Sequence, residues 1–292
     1  MDTKELLKKV RKIEIKTKGL SNQVFSGEYH SAFKGKGMAF SEVREYMPGD
    51  EIRTIDWNVT ARFNHPYVKV FHEERELTVM LLVDISSSEM FGSANQLKKE
   101  VIAELCAVIA FSATQNNDKI GAILFSDVTE LYIPPKKGKK HILRIIRELI
   151  EFKPVSKKTD IGAAIKYFNN MIKKRSIAFI VSDFIDDNYE KDLKIANKKH
   201  DIVGLKVFDS REKILPNIGY AQFEDIESGI KKWVNTNSKK HQLKYKNNAL
   251  SREHQTLETF RKSNVDFANI DIEQGYIKPL MKSYLGRLEG RL

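Results

Sequence analysis

The chain has 292 residues, 41% of them hydrophobic and 30% charged, which is enough apolar content for a buried core and excludes disorder along its whole length. Its net charge of +11 permits binding to nucleic acid, anionic lipid or an acidic protein and selects none of them. The single cysteine, Cys106, excludes an intrachain disulfide and a cysteine-built zinc site, and nothing points to an oxidising compartment.

Residues 1–18 read as a basic amphipathic helix, with Leu6, Leu7, Val10 and Ile13 near helical spacing and Gly19 as the stop. The charges scattered through this segment leave no apolar core of the signal-peptide kind. Residues 20–66 are rich in turn formers: Ser26-Gly27, Gly35-Lys36-Gly37, Pro48-Gly49-Asp50 and His65-Pro66. Loop and short strand are expected there, followed by a strand over Tyr67–Phe71.

From Leu77 onward, apolar runs alternate with helical patterns. Strands are predicted at Thr78–Asp84, Lys119–Phe125, Ile177–Asp183, Ile202–Val207 and Val265–Ile270. Helices are predicted near Ala94–Gln115, His141–Phe152, Ile161–Lys174, Tyr189–Lys199, Lys239–Lys262 and Tyr276–Leu288. This order predicts an α/β fold with a mainly parallel central sheet and helices on both faces. The continuous runs VMLLV and IAFIV fit strands buried on both sides. Val128–Ile133 follows a tight Ser126-Asp127 turn and reads as an antiparallel hairpin strand. Tyr220–Asp225 and Ile230–Asn235 read as an inserted hairpin across Glu227-Ser228-Gly229. The most apolar stretch, Val101–Ala113, contains Glu104 and is shorter than the roughly 20 residues of a membrane span, so a cytoplasmic location is expected.

In such a sheet, ligands bind beyond the carboxyl ends of the strands. The first core strand ends in Asp84-Ile85-Ser86-Ser87-Ser88, a D-x-S-x-S string, and a later one ends in Ser182-Asp183. Lys158-Thr159-Asp160 introduces the helix between them. Asp84, Ser86, Ser88, Thr159 and Asp183 thus come from three strand-to-helix loops on one edge. An all-oxygen set suits Mg²⁺ or Mn²⁺, not zinc or copper. Taken singly, D-x-S-x-S is also what turns and helix caps use, and Thr159 also reads as a cap.

These residues resemble the metal-ion-dependent adhesion site of a von Willebrand factor type A domain, a Rossmann-like fold, over about Leu77–Leu292. In that likeness Ser86 and Ser88 correspond to the hydroxyl ligands, with Asp84 beside them, Thr159 in the second loop and Asp183 in the third. Upstream, Arg44-Glu45-Tyr46-Met47-Pro48-Gly49-Asp50, Arg53-Thr54-Ile55-Asp56-Trp57 and Thr60-Ala61-Arg62 are similar to the signature of the bacterial domain-of-unknown-function family fifty-eight. Phe71-His72-Glu73-Glu74-Arg75-Glu76 and Phe91-Gly92-Ser93 extend the likeness. The resemblance implies a 1–76 module ahead of a 77–292 type A domain, in a short form without the membrane helices that some members carry. It implies a non-enzymatic, metal-dependent interaction protein, an adaptor or substrate-presenting factor for a MoxR-type AAA+ ATPase. Other type A proteins at the inner membrane are the further implied partners.

Other chemistries find less support. The sequence lacks G-x-S-x-G, H-E-x-x-H and phosphate-loop strings, and Ser86 stands where a D-x-D phosphotransferase carries its second aspartate. A hydrolase using the same metal, or a basic nucleic-acid binder, remains as an alternative. The histidines at 30, 65, 72, 141, 200, 241 and 254 form no metal-ligand spacing. Cys106, among Ile102, Leu105 and Ile109, is expected to be a buried, inert thiol. The run Lys136-Lys137-Gly138-Lys139-Lys140 has no interleaved aromatics and reads as a solvated loop, which argues against nucleic acid. Arg44, Asp50, Arg53, Asp56 and Arg62 are expected in a docked, charge-paired module where Tyr46 and Trp57 find shelter, since so small a segment buries large side chains poorly alone.

Overall fold

Turn chemistry builds the first part of the chain. A computed structural model describes residues 39–72, 76–86, 92–93, 96–224 and 231–280. The expected helix over 1–18 and the turns at 26–27 and 35–37 lie outside them. Strand β1 (Ala39–Glu45), a 3₁₀ turn (Ile52–Thr54), helix α1 (Trp57–Phe63) and strand β2 (Tyr67–His72) form a small compact unit within Phe33–Leu77. β1 and β2 pair antiparallel, with an irregularity between Phe40 and Glu42. Helix α1 corrects the expectation of loop and short strand. Its first turn is capped by Asp56, which accepts hydrogen bonds from the Asn58 and Val59 N–H groups, and Asn64 ends it in the left-handed conformation.

The described part of the larger unit starts at Thr78. Its elements are β3 (Thr78–Asp84), a two-residue ladder of β4 (Gly92–Ser93) and β5 (Gln96–Leu97), α2 (Lys98–Gln115), β6 (Lys119–Phe125) and β7 (Thr129–Lys136). Then come α3 (Lys139–Glu151), α4 (Ile161–Met171), β8 (Ile177–Ser182), α5 (Glu190–Lys199) and β9 (Asp201–Phe208). The β10 (Tyr220–Glu224) and β11 (Lys231–Asn235) hairpin, α6 (Lys239–Lys262) and β12 (Asp266–Asp271) follow. The last predicted helix begins at 277, and beyond 280 it lies outside the described residues.

Six strands make one sheet in the order β12–β9–β8–β3–β6–β7. Its pairs are parallel except β6–β7, as the tight turn before Val128 requires. β7 forms one margin of this sheet and carries Pro134-Pro135. Because β3 lies between β6 and β8, the chain winds outward to one side, returns, and winds to the other. The switch point therefore falls at the carboxyl ends of β3 and β8.

Burial follows the two-residue period of the strands. Met80, Leu82, Ala178 and Ile180 pack on one face against Ile165 and Phe168 of α4, Leu193 of α5 and Phe260 of α6. Val79, Leu81 and Val83 turn to the other face, where α2 is buried along most of its length. Cys106 is buried there and desolvation raises its thiol pKa, so the inert reading holds. Gly204 of β9 is required by close approach: a Cβ there would fall 2.3 Å from the Phe260 ring.

Candidate functional site

The carboxyl ends of β3 and β8 bring two acidic side chains into the protein interior. Asp84 is 1% and Asp183 3% exposed. The Ser182 hydroxyl donates to Asp84 Oδ2 at 2.7 Å, and the Ser86 backbone N–H donates to Asp84 Oδ1 at 2.9 Å. Asp183 Oδ1 accepts from the Ile185 N–H at 3.1 Å, which folds the chain back over the strand end. Burial, and then the charge of Asp183, push the Asp84 carboxyl up to about 6.

The second loop is tied to the same edge by its backbone. Asp160 N–H donates to Ser126 O at 3.1 Å, and Ile161 N–H donates to Asp186 Oδ2 at 2.8 Å. The cap of α4 is Asp160, which accepts from the Ala163 N–H at 2.7 Å. Thr159, the sequence candidate for that cap, is half-buried one residue earlier, which leaves its hydroxyl outside the capping role. The structure therefore brings together Asp84, Ser86 and Asp183, with Ser86 fully buried. Ser88 lies outside the described residues.

A cation is also present at this edge, and the sequence reading missed it. Lys98, the first residue of α2, is 1% exposed. Its Nζ stands 3.6 Å from Asp183 Oδ2 and 3.5 Å from Glu212 Oε1. Glu212 belongs to the 3₁₀ turn Ser210–Lys213 after β9, and burial raises its carboxyl pKa. Lys206 of β9 feels the Asp183 charge as well, while burial lowers its ammonium pKa. The pairing of Lys98 spans 114 positions to Glu212, so no local pattern announces it.

The donor chemistry fits a hard cation. Burial and the neighbouring Asp183 raise the cost of the Asp84 charge, and an ion beside the two carboxylates would relieve it. Among the described residues, no group of three Asp, Glu, His or Cys side chains can hold a metal, so hydroxyls, backbone carbonyls or water would have to complete any such shell. On the α2 side of the strand end, Asp84 and Ser86 line a cavity of about 20 Å³ with Lys99, Ile102, Leu149 and Pro154; it does not reach Asp183 and is too small for an organic substrate. A separate cleft of about 130 Å³ opens beside Phe184, Asp186, Lys206 and Arg252.

The upstream signature divides into two sets. Arg44 makes two hydrogen bonds to Asp50 at 2.8 and 2.7 Å, holding that carboxyl below its usual range, and Asp50 also accepts from the Met47 N–H. Gly49 turns the loop at φ +111°. Asp56 caps α1 and pairs with Lys69 at 3.4 Å. These residues are scaffold. Arg53, Trp57 and Arg62 are exposed, Trp57 by 68%, and Tyr46 is half-buried. Within its own unit Trp57 finds no shelter, because α1 turns its first residue outward while Val59 and Thr60 face inward. The expected pairing of Asp56 is met by Lys69, whereas Arg62 lies in the last turn of α1, where the helix dipole favours a cation.

His200 is structural: buried against Phe168, it bonds Ser176 Oγ at 2.9 Å, and burial lowers its pKa to about 4.

A doubly wound α/β sheet with a buried acidic switch point defines the class of protein. Within that class, the family model described as "Protein of unknown function DUF58" matches residues 42–256, and the chain belongs to this family. The uncharacterized protein Rv1480 of Mycobacterium tuberculosis is 30% identical over 233 residues, spanning 79% of this chain and 74% of that one. The uncharacterized protein YeaD of Bacillus subtilis is 28% identical over 109 residues, 37% of this chain and 25% of that one. An aerotolerance-related membrane protein from Bacteroides fragilis has a similar fold, with a TM-score of 0.51 at 17% identity over 73% of this chain and 99% of that one. BatB from Bacteroides thetaiotaomicron gives 0.50 at 15% identity, over the same shares. Among the described residues of the present chain, no helix is long and apolar enough to cross a membrane.

Proposed function

We propose that the larger unit is a von Willebrand factor type A domain and that the chain is a non-enzymatic, metal-dependent interaction protein. Asp84, Ser86, Ser88, Thr159 and Asp183 would hold one Mg²⁺ or Mn²⁺ at the switch point. The single observation that carries this reading is the buried Asp84–Asp183 pair at the ends of β3 and β8. When bound, the ion supplies an electrophilic position open to a carboxylate of a partner.

The chain's own residues set the terms of that recognition. Ser182 fixes the orientation of Asp84 by its 2.7 Å hydrogen bond, and the Ile185 N–H fixes Asp183. Neutral hydroxyls from Ser86, Ser88 and Thr159 leave much of the positive charge uncancelled, which favours an acidic partner. A hydrolytic use of the same ion needs a general base that is not itself a ligand, and Glu212, which shares this edge, is engaged by Lys98.

The family likeness supports a MoxR-type AAA+ ATPase as partner, with this chain presenting a client to it. It supports a cytoplasmic location with attachment at the inner membrane through other type A proteins, and the fold shared with an aerotolerance-related membrane protein is in keeping with that setting.

Titration calorimetry with Mg²⁺ and Mn²⁺ tests the site. One binding event is expected, abolished by Ser86→Ala with Ser88→Ala, and an unchanged isotherm in that double variant overturns the reading. A pull-down with a MoxR-type ATPase, with and without Mg²⁺, should lose the partner in Asp84→Ala while the cooperative thermal transition is kept. Loss of that transition would mean that Asp84 is structural.

A further inference from the structure

We propose that Lys98 is an internal cation that competes with a divalent ion for Asp183, so that loading the site requires the ammonium to withdraw toward Glu212. This rests on the metal-binding reading above.

The position of Lys98 is costly by two independent measures. An ammonium removed from water loses its hydration, and Lys98 is buried as fully as Phe125. It also opens helix α2, where the partial positive charge of the helix N-terminus repels a cation. Ordinary helix chemistry places an acid in that turn, as Glu100 shows two residues later. The ammonium is held there by carboxylates that arrive from two other strand ends, Asp183 after β8 and Glu212 after β9.

The geometry is that of a shared ion. Both distances, 3.6 Å to Asp183 and 3.5 Å to Glu212, are longer than a tight charge-assisted hydrogen bond of about 2.8 Å. The lysine stem has four rotatable carbons, so a small swing exchanges one carboxylate for the other. Glu212 is kept available by its surroundings. Its carbonyl accepts from Tyr245 Oη at 2.9 Å, and the neighbouring Lys213 pairs with Glu253 at 2.8 Å, so helix α6 holds the turn at both points. An incoming divalent ion and the ammonium repel each other, and both are drawn to the same Asp183 oxygens. Lys98 thus lowers the affinity of the site and balances the charge of Asp183 while no metal is bound.

The test uses the full chain and Mn²⁺ as the probe, followed by titration calorimetry. Lys98→Met with Glu212→Gln removes one positive and one negative charge, leaving the overall charge unchanged. This variant should bind Mn²⁺ at least ~10-fold more tightly than the unaltered protein. Glu212→Gln alone should bind more weakly, because the ammonium then has less reason to leave Asp183, whereas Glu258→Gln, an equal loss of charge on the exposed side of α6, should not change affinity. Equal or weaker binding in the folded double variant overturns the competition and leaves the metal reading standing. Absence of Mn²⁺ binding in every form overturns both. If thermal melts show that the double variant does not fold, the comparison of Glu212→Gln with Glu258→Gln decides, and equal affinities there overturn the competition.

Discussion

The interior of β3 and its last residue are equally hidden from water, yet they are built on opposite physics. Val79 to Val83 are apolar, and their exclusion from water stabilises the sheet. One step further, Asp84 meets Asp183 and Ser182 in the same dryness, and its charge costs free energy that the core must offset. β8 repeats the contrast, from the apolar run Ile177–Val181 to Ser182-Asp183. A molecule selected for stability alone would place apolar side chains at both ends. Charges retained under burial at a topological switch point cost stability, and such a cost is the mark of a functional-site candidate.

The contrast is broken most severely from the apolar side. Val181→Asp puts an unpaired carboxylate in the middle of β8 and should cost on the order of 5 kcal/mol, read as loss of the cooperative melting transition. Gly204→Ala should cost less, about 1–3 kcal/mol, because its new methyl meets the Phe260 ring and α6 must shift. Chemical denaturation should show the lowered midpoint with a nearly unchanged slope.

On the charged side the sign reverses. Asp84 has a carboxyl pKa raised from 3.8 to about 6, so its contribution is fully favourable below 3.8 and is lost as pH rises through about 6. Asp84→Asn in the presence of a chelator should therefore be more stable than the unaltered protein at neutral pH, by about 3 kcal/mol. The advantage should vanish near pH 4, and denaturation curves at several pH values check it. An advantage independent of pH would break the link between burial and charge. Adding Mg²⁺ should narrow the difference by stabilising the ionised acid.

The smallest effect is expected in the small unit. Arg44→Ala removes a bidentate pair whose members are partly in solvent, so the melting temperature should barely move. Proteolysis between 44 and 56 should nevertheless quicken, because Arg44 and the Met47 N–H together fix Asp50.

What the sequence made legible follows the same divide. β3, β6 and β8 could be read because strands covered on both faces are written as unbroken apolar runs, and their carboxyl ends then fix where Asp84 and Asp183 must meet. Helix α1 escaped because it is short, lies among turn formers and buries little, leaving Asp56 and Asn64 as its only local signals. Lys98 escaped for another reason. A lysine ahead of an apolar helix reads as solvated, and the carboxylates that permit its burial come from the far ends of β8 and β9. Trp57 shows the limit of arguing from side-chain size, since a large apolar group invites burial but α1 presents it to solvent.

Pro134 and Pro135 in β7 bear on how this molecule can assemble. A proline has no N–H to offer, so an approaching strand finds gaps where a ladder would need donors, and the lysine that follows adds charge at the same margin. The sheet is thus closed to lengthening on that side by another chain, a common route to unwanted fibres. Strand addition is thereby disfavoured along the β7 margin, and the metal-dependent recognition proposed above would instead use the tips of the strands, where charge and coordination geometry discriminate between partners in a way backbone pairing does not.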